Sequence, residues 1–389
     1  MFAVILNEVK NLSKICYKFV MRMKRVYVIL LIFCCFPLWG QEHALTGGNR
    51  LRVIRSGNEF ISSLVADISS ARESVDMEYY WFGTDSAGRV VRDALAAKAR
   101  EGIRVRVLFD NLITPSAPAA YYDVLRKAGA EVRVVHDFEK MGPFQSVGAI
   151  FSMRDHRKIA VIDNRIGYTG GMNLCMESVQ WDDTQVRVEG PAAAVLLSTL
   201  YPDTVIPSAD GPVQVQVITS EKGASAEALY VRALREAREY FYIQTPYFCP
   251  PESILAEMKA ASARGVDVRL LLPERCDWGF MNELSRDYFE QLLAAGIPVF
   301  LFTKKYDHTK AFVSDGNFTC IGSINLDKRS FYINKEAALF IYDAPFAREY
   351  TRHFLDLQEQ SYQVQPGESV ARGIHKPYRA FLRFLDPLF

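Results

Sequence analysis

An excess of charge is the first thing this sequence lacks. Its 46 Lys and Arg against 45 Asp and Glu leave a formal charge of +1. No global field draws such a chain to a polyanion, which disfavours nucleic acid as a partner. Long apolar runs are missing as well. The run Val26–Phe36 falls short of the roughly 20 residues a membrane span needs. Cysteine is sparse, and none of the seven forms a close pair that suggests a zinc site. Cys16, Cys34 and Cys35 fall near the N-terminus, and Cys175, Cys249, Cys276 and Cys320 are expected as buried free thiols. With no cluster at metal-ligand spacing, neither a metal nor a cofactor is expected. Disorder is excluded too, because 49% hydrophobic and 23% charged residues make an ordinary globular balance.

Lys24 and Arg25 precede the apolar run, and Pro37, Leu38, Trp39 and Gly40 follow it, the order of a secretory leader. We therefore set residues 1–40 aside as a leader, with cleavage expected near Gly40–Gln41 and Met21 or Met23 as alternative starts. The expected location is the cell envelope, either periplasmic or associated with a membrane.

The remainder exceeds one ordinary domain and alternates between strand and helix patterns. Leu51–Ile54, Val75–Phe82, Val105–Asp110 and Glu131–Val135 read as strands. Asn58–Ala71, a helix from Ser86 to Arg100 with Ser86 as its cap, and Ala119–Ala128 read as helices. The second half repeats this rhythm, with helices at Ala224–Ala237, Glu252–Arg264 and Phe280–Ala295 and strands at Phe241–Thr245, Val268–Leu272 and Val299–Phe302. Local echoes accompany it: Ala71-Arg72-Glu73 returns as Ala237-Arg238-Glu239, and Ala128-Gly129 as Ala295-Gly296. The fold class predicted is α/β, two duplicated domains over 50–206 and 213–360 built on parallel strands, joined by a Pro-containing linker at 202–212. One difference separates the halves. Twenty residues lie between Val135 and His156, but five between Phe302 and His308, so the first half has room for a loop that either faces a ligand or folds on its own core.

The most informative stretch is His156–Asn173, which recurs in altered form as His308–Asn325. In both copies Lys follows the His by two residues, Asp by seven, a Gly by fourteen and Asn by seventeen. Residues two apart on a strand share a face, so His156 with Lys158, and His308 with Lys310, project together. An imidazole beside an ammonium suits phosphate: the Lys neutralises phosphoryl oxygens, and the imidazole attacks phosphorus or protonates a leaving oxygen. Asp163 and Asp315 belong to the repeated signature and are kept with the catalytic set. Their odd spacing and position before a turn nonetheless predict a role more structural than chemical. Gly170-Gly171 and Gly322-Ser323 would let backbone approach a ligand, and Asn173 and Asn325 can offer amide N–H groups to a phosphate as substrate-binding residues. A catalytic His needs a group to fix its tautomer. Asp183 and Glu336, each opening a strand 27 and 28 residues past the respective histidines, are assigned as these orienting residues.

These residues resemble the phospholipase D superfamily, whose signature is His-x-Lys, four residues and Asp, here HRKIAVID and HTKAFVSD. GGMN, the stretch Trp181–Ala192, GSINLDKRSF at Gly322–Phe331 and the terminal RFLDPLF are closest to its bacterial cardiolipin synthase branch. The resemblance implies two similar domains about a pseudo-twofold axis sharing one site, and a two-step reaction through a phosphohistidine without metal. By the family's usual order His156 is the nucleophile and His308 the general acid and then base, with Lys158, Lys310, Asn173 and Asn325 holding the phosphate. It implies a phospholipid substrate at a membrane surface, and transfer of a phosphatidyl group between phospholipids. Hydrolysis as a phospholipase D uses the same residues. A phosphodiesterase acting on nucleic acid and a non-catalytic lipid-binding relic are the other readings, the latter opposed by two intact motifs. The branch usually opens with two transmembrane helices, which this chain replaces with a leader-like segment. Its tail, 361–389, interleaves Arg372, Lys376, Arg379 and Arg383 with Phe381, Leu382, Phe384, Leu385, Leu388 and Phe389. That pattern fits contact with an anionic bilayer or a helix packed on the second domain.

Overall fold

The computed structural model describes residues 43, 45–110, 119–135, 153–220 and 225–368. The leader, residues 136–152 of the first-half loop and the tail from 369 lie outside the described residues.

In the first half the strands are β1 (Arg50–Ile54), β2 (Ser74–Tyr79), β3 (Arg104–Asp110), β4 (Glu131–Val135), β5 (Lys158–Ile162), β6 (Ile166–Gly170) and β7 (Gln185–Glu189). They form a sheet of order β1-β7-β6-β5-β2-β3-β4. The second half has β8 (Gln214–Thr219), β9 (Tyr240–Gln244), β11 (Asp267–Pro273), β12 (Val299–Phe302), β13 (Ala311–Ser314), β14 (Phe318–Gly322), β16 (Ala337–Tyr342) and β17 (Ser361–Gln363) in the order β17-β12-β11-β9-β13-β14-β16-β8. The short β10 (Phe248–Cys249) and β15 (Leu326–Asp327) pair separately.

The expectation of parallel strands holds only for part of each sheet. The runs β2-β3-β4 and β9-β11-β12 are parallel and joined through helices. The strand that follows each His pairs antiparallel with the next, because a three-residue turn, 163–165 in one half and 315–317 in the other, can only send the chain back along itself. At that turn Asp163, Asn164 and Asp315 have φ near +52°, a conformation that short polar side chains tolerate better than most.

Helix Gly57–Ser70 turns Phe60, Leu64 and Ile68 inward at four-residue spacing, fully buried. The next helix, Ser86–Arg100, is capped by Asp85 rather than Ser86, its carboxylate accepting the Gly88 N–H. A carboxylate one residue earlier satisfies the free N–H, so Ser86 becomes the first helical residue. Among the described residues no helix is long and apolar enough to cross a membrane.

The sheets are buried on both faces. On β5, Ala160 and Ile162 belong to the core of the first half, whereas Ile159 and Val161 enter a layer shared with the second. On β13, Phe312 faces its own core, and Ala311 and Val313 face the shared layer. Helix Pro191–Ser198, buried along its whole length, also enters this layer. Its Val195, Leu196 and Leu197 each contribute about 1.5–3 kcal/mol of burial. The apolar layer between the sheets fixes the halves against each other, and with them the two His motifs.

Candidate active site

Lys158 pairs with Tyr79 at the C-terminal end of β2, the end of parallel strands where α/β sheets bind ligands. His156 lies two residues before this ladder. The backbone of the other half holds it there: the His156 N–H donates to the Lys335 carbonyl at 2.9 Å, and the Lys335 N–H to the Arg154 carbonyl at 2.8 Å. The second motif repeats the arrangement. The His308 N–H donates to the Asp182 carbonyl at 2.7 Å, and the Asp182 N–H to the Tyr306 carbonyl at 2.9 Å. Lys335 and Asp182 immediately precede Glu336 and Asp183, so each backbone bridge delivers a carboxylate to the histidine of the opposite half.

His156 Nδ1 lies 3.0 and 2.9 Å from the two Glu336 oxygens, and His308 Nδ1 lies 2.7 Å from Asp183 Oδ2. Each carboxylate thus serves the histidine it does not follow in sequence. With Nδ1–H donating to the carboxylate, Nε2 of each ring keeps its lone pair, the tautomer a nucleophile or general base needs. Ser330 Oγ donates to Glu336 at 2.9 Å and fixes the carboxylate in turn.

Burial, followed by the charges of Lys158 and Lys310, holds the His156 imidazole well below its ordinary range. Burial and Lys310 lower His308 as well. Burial also pulls Lys158 down to about 7 and Lys310 to about 8, and pushes Glu336 up to about 7. A phosphate anion between the ammonium groups would offset their repulsion. Each Lys Nζ donates to the carbonyl of its own motif's His, Lys158 to His156 at 2.7 Å and Lys310 to His308.

Asp163 and Asp315, kept above with the catalytic set, lie elsewhere. Asp163 accepts the N–H groups of Arg72, Glu73 and Ser74 at 2.8–3.1 Å. Asp315 accepts those of Arg238, Glu239 and Tyr240 at 2.9–3.0 Å. Each carboxylate locks the turn from a helix into a central strand, and the repeated Ala-Arg-Glu is its docking segment. The glycines make room for protein rather than ligand. A Cβ at Gly170 would lie 2.4 Å from the Thr184 carbonyl, one at Gly322 2.4 Å from that of Ala337, and one at Gly171 2.1 Å from Asp183 Oδ1. Ser323 stands where the first half has Gly171, and there the longer Glu336 replaces Asp183; the Ser323 hydroxyl donates to the Ala337 carbonyl at 3.3 Å. Asn173 and Asn325 are buried, and the amide oxygen of each is without a hydrogen-bond partner among the described residues.

Several residues of the site escaped the sequence reading. Asp155 and Asp307 each precede the His directly, a repeated feature that was there to be read. Asp155 accepts from Arg157 at 3.0 and 2.9 Å, and Arg157 reaches Glu78 at 2.9 Å. Asp307 instead accepts from Gln244 at 2.7 Å and from the Thr309 N–H at 3.0 Å. The charged Glu78–Arg157 pair of one half is thus replaced by a neutral pair in the other. Tyr80 sets its ring 4.5 Å from that of His156, and Arg154, doubly hydrogen-bonded to Asp110 at 2.7 Å, lies over Tyr80 at 5.0 Å. Around His308 the neighbours are Trp181 at 4.8 Å and Tyr306 at 5.6 Å. The four cysteines among the described residues, Cys175, Cys249, Cys276 and Cys320, are free thiols.

Comparison with known proteins agrees with this architecture. Residues 64–199 and 230–358 each match the family model of the cardiolipin synthase, phospholipase D-like domain. The major cardiolipin synthase ClsA of Bacillus subtilis is 32% identical over 340 residues, spanning 80% of this chain and 70% of that protein. A cardiolipin synthase of Geobacillus kaustophilus is 32% identical over 374 residues, 85% of this chain and 73% of that one. The crystal structure of a phosphatidylserine synthase from Haemophilus influenzae superposes with a TM-score of 0.65, covering 86% of this chain and 92% of its own. Its identity is 15%, so that likeness speaks for the fold. On the two matched repeats and these relatives, the chain belongs to the cardiolipin synthase family of phospholipase D-like enzymes.

Proposed function

We propose that the protein transfers a phosphatidyl group from one phospholipid to a hydroxyl of another, a reaction that would yield the product for which its relatives, cardiolipin synthases, are named. The observation that carries the reading is the crossed pair of His–carboxylate bonds, which leaves two Nε2 atoms and two lysines for one phosphodiester. His156 Nε2 attacks phosphorus and the bond to the head-group oxygen breaks; that oxygen takes the Nε2 proton of His308, which enters this step as the imidazolium held by Asp183. A lipid hydroxyl then gives its proton to His308 and attacks phosphorus, and the bond to His156 breaks. Lys158 and Lys310 hold the phosphoryl oxygens, with Asn173 and Asn325 as further donors. Glu336 and Asp183 orient the rings and stabilise their charged forms. Both substrates are lipids, so the reaction takes place at a membrane surface, in keeping with an exported envelope protein.

The test is to incubate the purified protein with phosphatidylglycerol and resolve the lipids. Cardiolipin with an equivalent of glycerol is expected. Phosphatidic acid as the main product would make water the acceptor, and no product would remove the reading.

A further inference from the structure

The two half-sites share a backbone frame but not their side chains. Two residues before His156 stands Arg154, bound to Asp110; two before His308 stands Tyr306. Directly before Glu336 stands Lys335, and before Asp183 stands Asp182. Two before Glu336 is Asn334, and two before Asp183 is Trp181. One half-site is thus cationic, and the other aromatic and acidic.

On the aromatic side, Trp181 and Tyr306 lie 4.9 Å apart and both flank His308. Asp277 stands behind them, exposed on the loop between β11 and helix Gly279–Ala294. Its Oδ1 accepts from Tyr306 Oη at 2.8 Å, from Tyr247 Oη and from the Trp278 N–H at 3.0 Å. Its Oδ2 has no hydrogen-bond partner among the described residues. The carboxylate is close enough for its charge to act on both His308 and Lys310.

A fixed carboxylate with an open oxygen accepts from hydroxyl groups, and aromatic rings cover the C–H faces of a polyol while excluding water. Under the proposed function, on which this inference rests, the departing and incoming alcohols occupy the His308 side, in line with the bond to His156. We propose that Asp277, tethered by Tyr306 and Tyr247, selects the alcohol by reading the second hydroxyl of a glycerol head group. The reacting hydroxyl lies at His308 and its neighbour donates to Asp277. A mono-alcohol leaves the carboxylate without that donor.

The experiment offers full-length enzyme equal concentrations of glycerol and 1-propanol, with phosphatidyl-p-nitrophenol in mixed micelles as a donor whose leaving group is no diol. Mass spectrometry reads the ratio of phosphatidylglycerol to phosphatidylpropanol, and p-nitrophenol release reports competent enzyme. Wild type is expected to favour glycerol. Asp277→Ala should lower the ratio by about tenfold or more, the worth of a hydrogen bond to a charged group. Asp277→Asn, which keeps the shape, and Tyr306→Phe, which frees the carboxylate but keeps the ring, should lower it less. An unchanged ratio in Asp277→Ala overturns the assignment. So does loss of p-nitrophenol release in both Asp277 variants, which would make the residue essential to chemistry rather than to choice. Wild type that transfers to neither alcohol removes the phosphatidyl-transfer reading, and this assignment with it.

Discussion

Glu336 accepts the Nδ1–H of His156 from 180 positions away in the chain, across the interface between the halves. The matching bond, His308 to Asp183, spans 125. Neither half holds a complete site. Glu336→Gln should therefore lower kcat by roughly 10²–10⁴, because an amide can hold the ring in the wrong tautomer and cannot stabilise the imidazolium. Asp183→Asn should do likewise through His308. Steady-state kinetics on folded variants check both, and a loss under threefold in either would deny that carboxylate its orienting role.

Asp163 and Asp315 should act on stability instead. Asp163→Ala strands the N–H groups of Arg72, Glu73 and Ser74 and puts Ala at a φ of +52°, and the expected cost is about 2–4 kcal/mol. Denaturant unfolding should show that loss while the folded fraction keeps its kcat. Collapse of kcat without a loss of stability would place Asp163 in the chemistry after all.

The glycine pair gives an asymmetric prediction. At Gly171 an added methyl would meet Asp183 Oδ1, so Gly171→Ala should displace the carboxylate from His308 and remove most activity. Ser323→Gly loses the Ala337 N–H bond at 3.0 Å, the longer bond to the Ala337 carbonyl at 3.3 Å and a hydroxyl that steadies Glu336. It should cost about 1–3 kcal/mol of stability and lower activity less than Gly171→Ala does, because Ser330 still holds Glu336. The two variants assayed side by side decide the matter, and equal effects would contradict it.

The pH dependence follows from the lysines. Lys158 at about 7 and Lys310 at about 8 are lowered, so in the free enzyme they lose their charge as pH rises through that window. The cation that attracts the phosphodiester is present below it and lost above. kcat/KM, which reports free enzyme, should fall as pH rises from 7 to 9, and kcat should fall at higher pH, since bound phosphate raises both lysines. A flat kcat/KM up to pH 10 would contradict this.

Much of this molecule was legible in its sequence. Strand and helix positions came within a few residues, because Phe60, Leu64 and Ile68 or the alternating strand residues state their periodicity plainly. The paired His-x-Lys motifs singled out the two histidines that the fold pairs with buried carboxylates. Spacing along one chain, however, does not say which half a carboxylate faces, and the exchange of Asp183 and Glu336 arises from backbone bridges at Asp182 and Lys335. The glycines were read as room for a ligand, whereas their neighbours are the next strand and Asp183. Arg154–Asp110 and Asp277–Tyr306 join residues distant in sequence that only the folded sheets bring together.

The most direct measurement of the central claim is to trap the covalent intermediate. His308→Asn, mixed with phosphatidyl-p-nitrophenol, keeps the nucleophile and a leaving group that needs no acid, but lacks the base for the second step. After an alkaline quench and proteolysis, mass spectrometry should find a phosphatidyl adduct on His156 and none in His156→Asn. An adduct on another residue, or a burst of p-nitrophenol without any adduct at His156, would contradict the account.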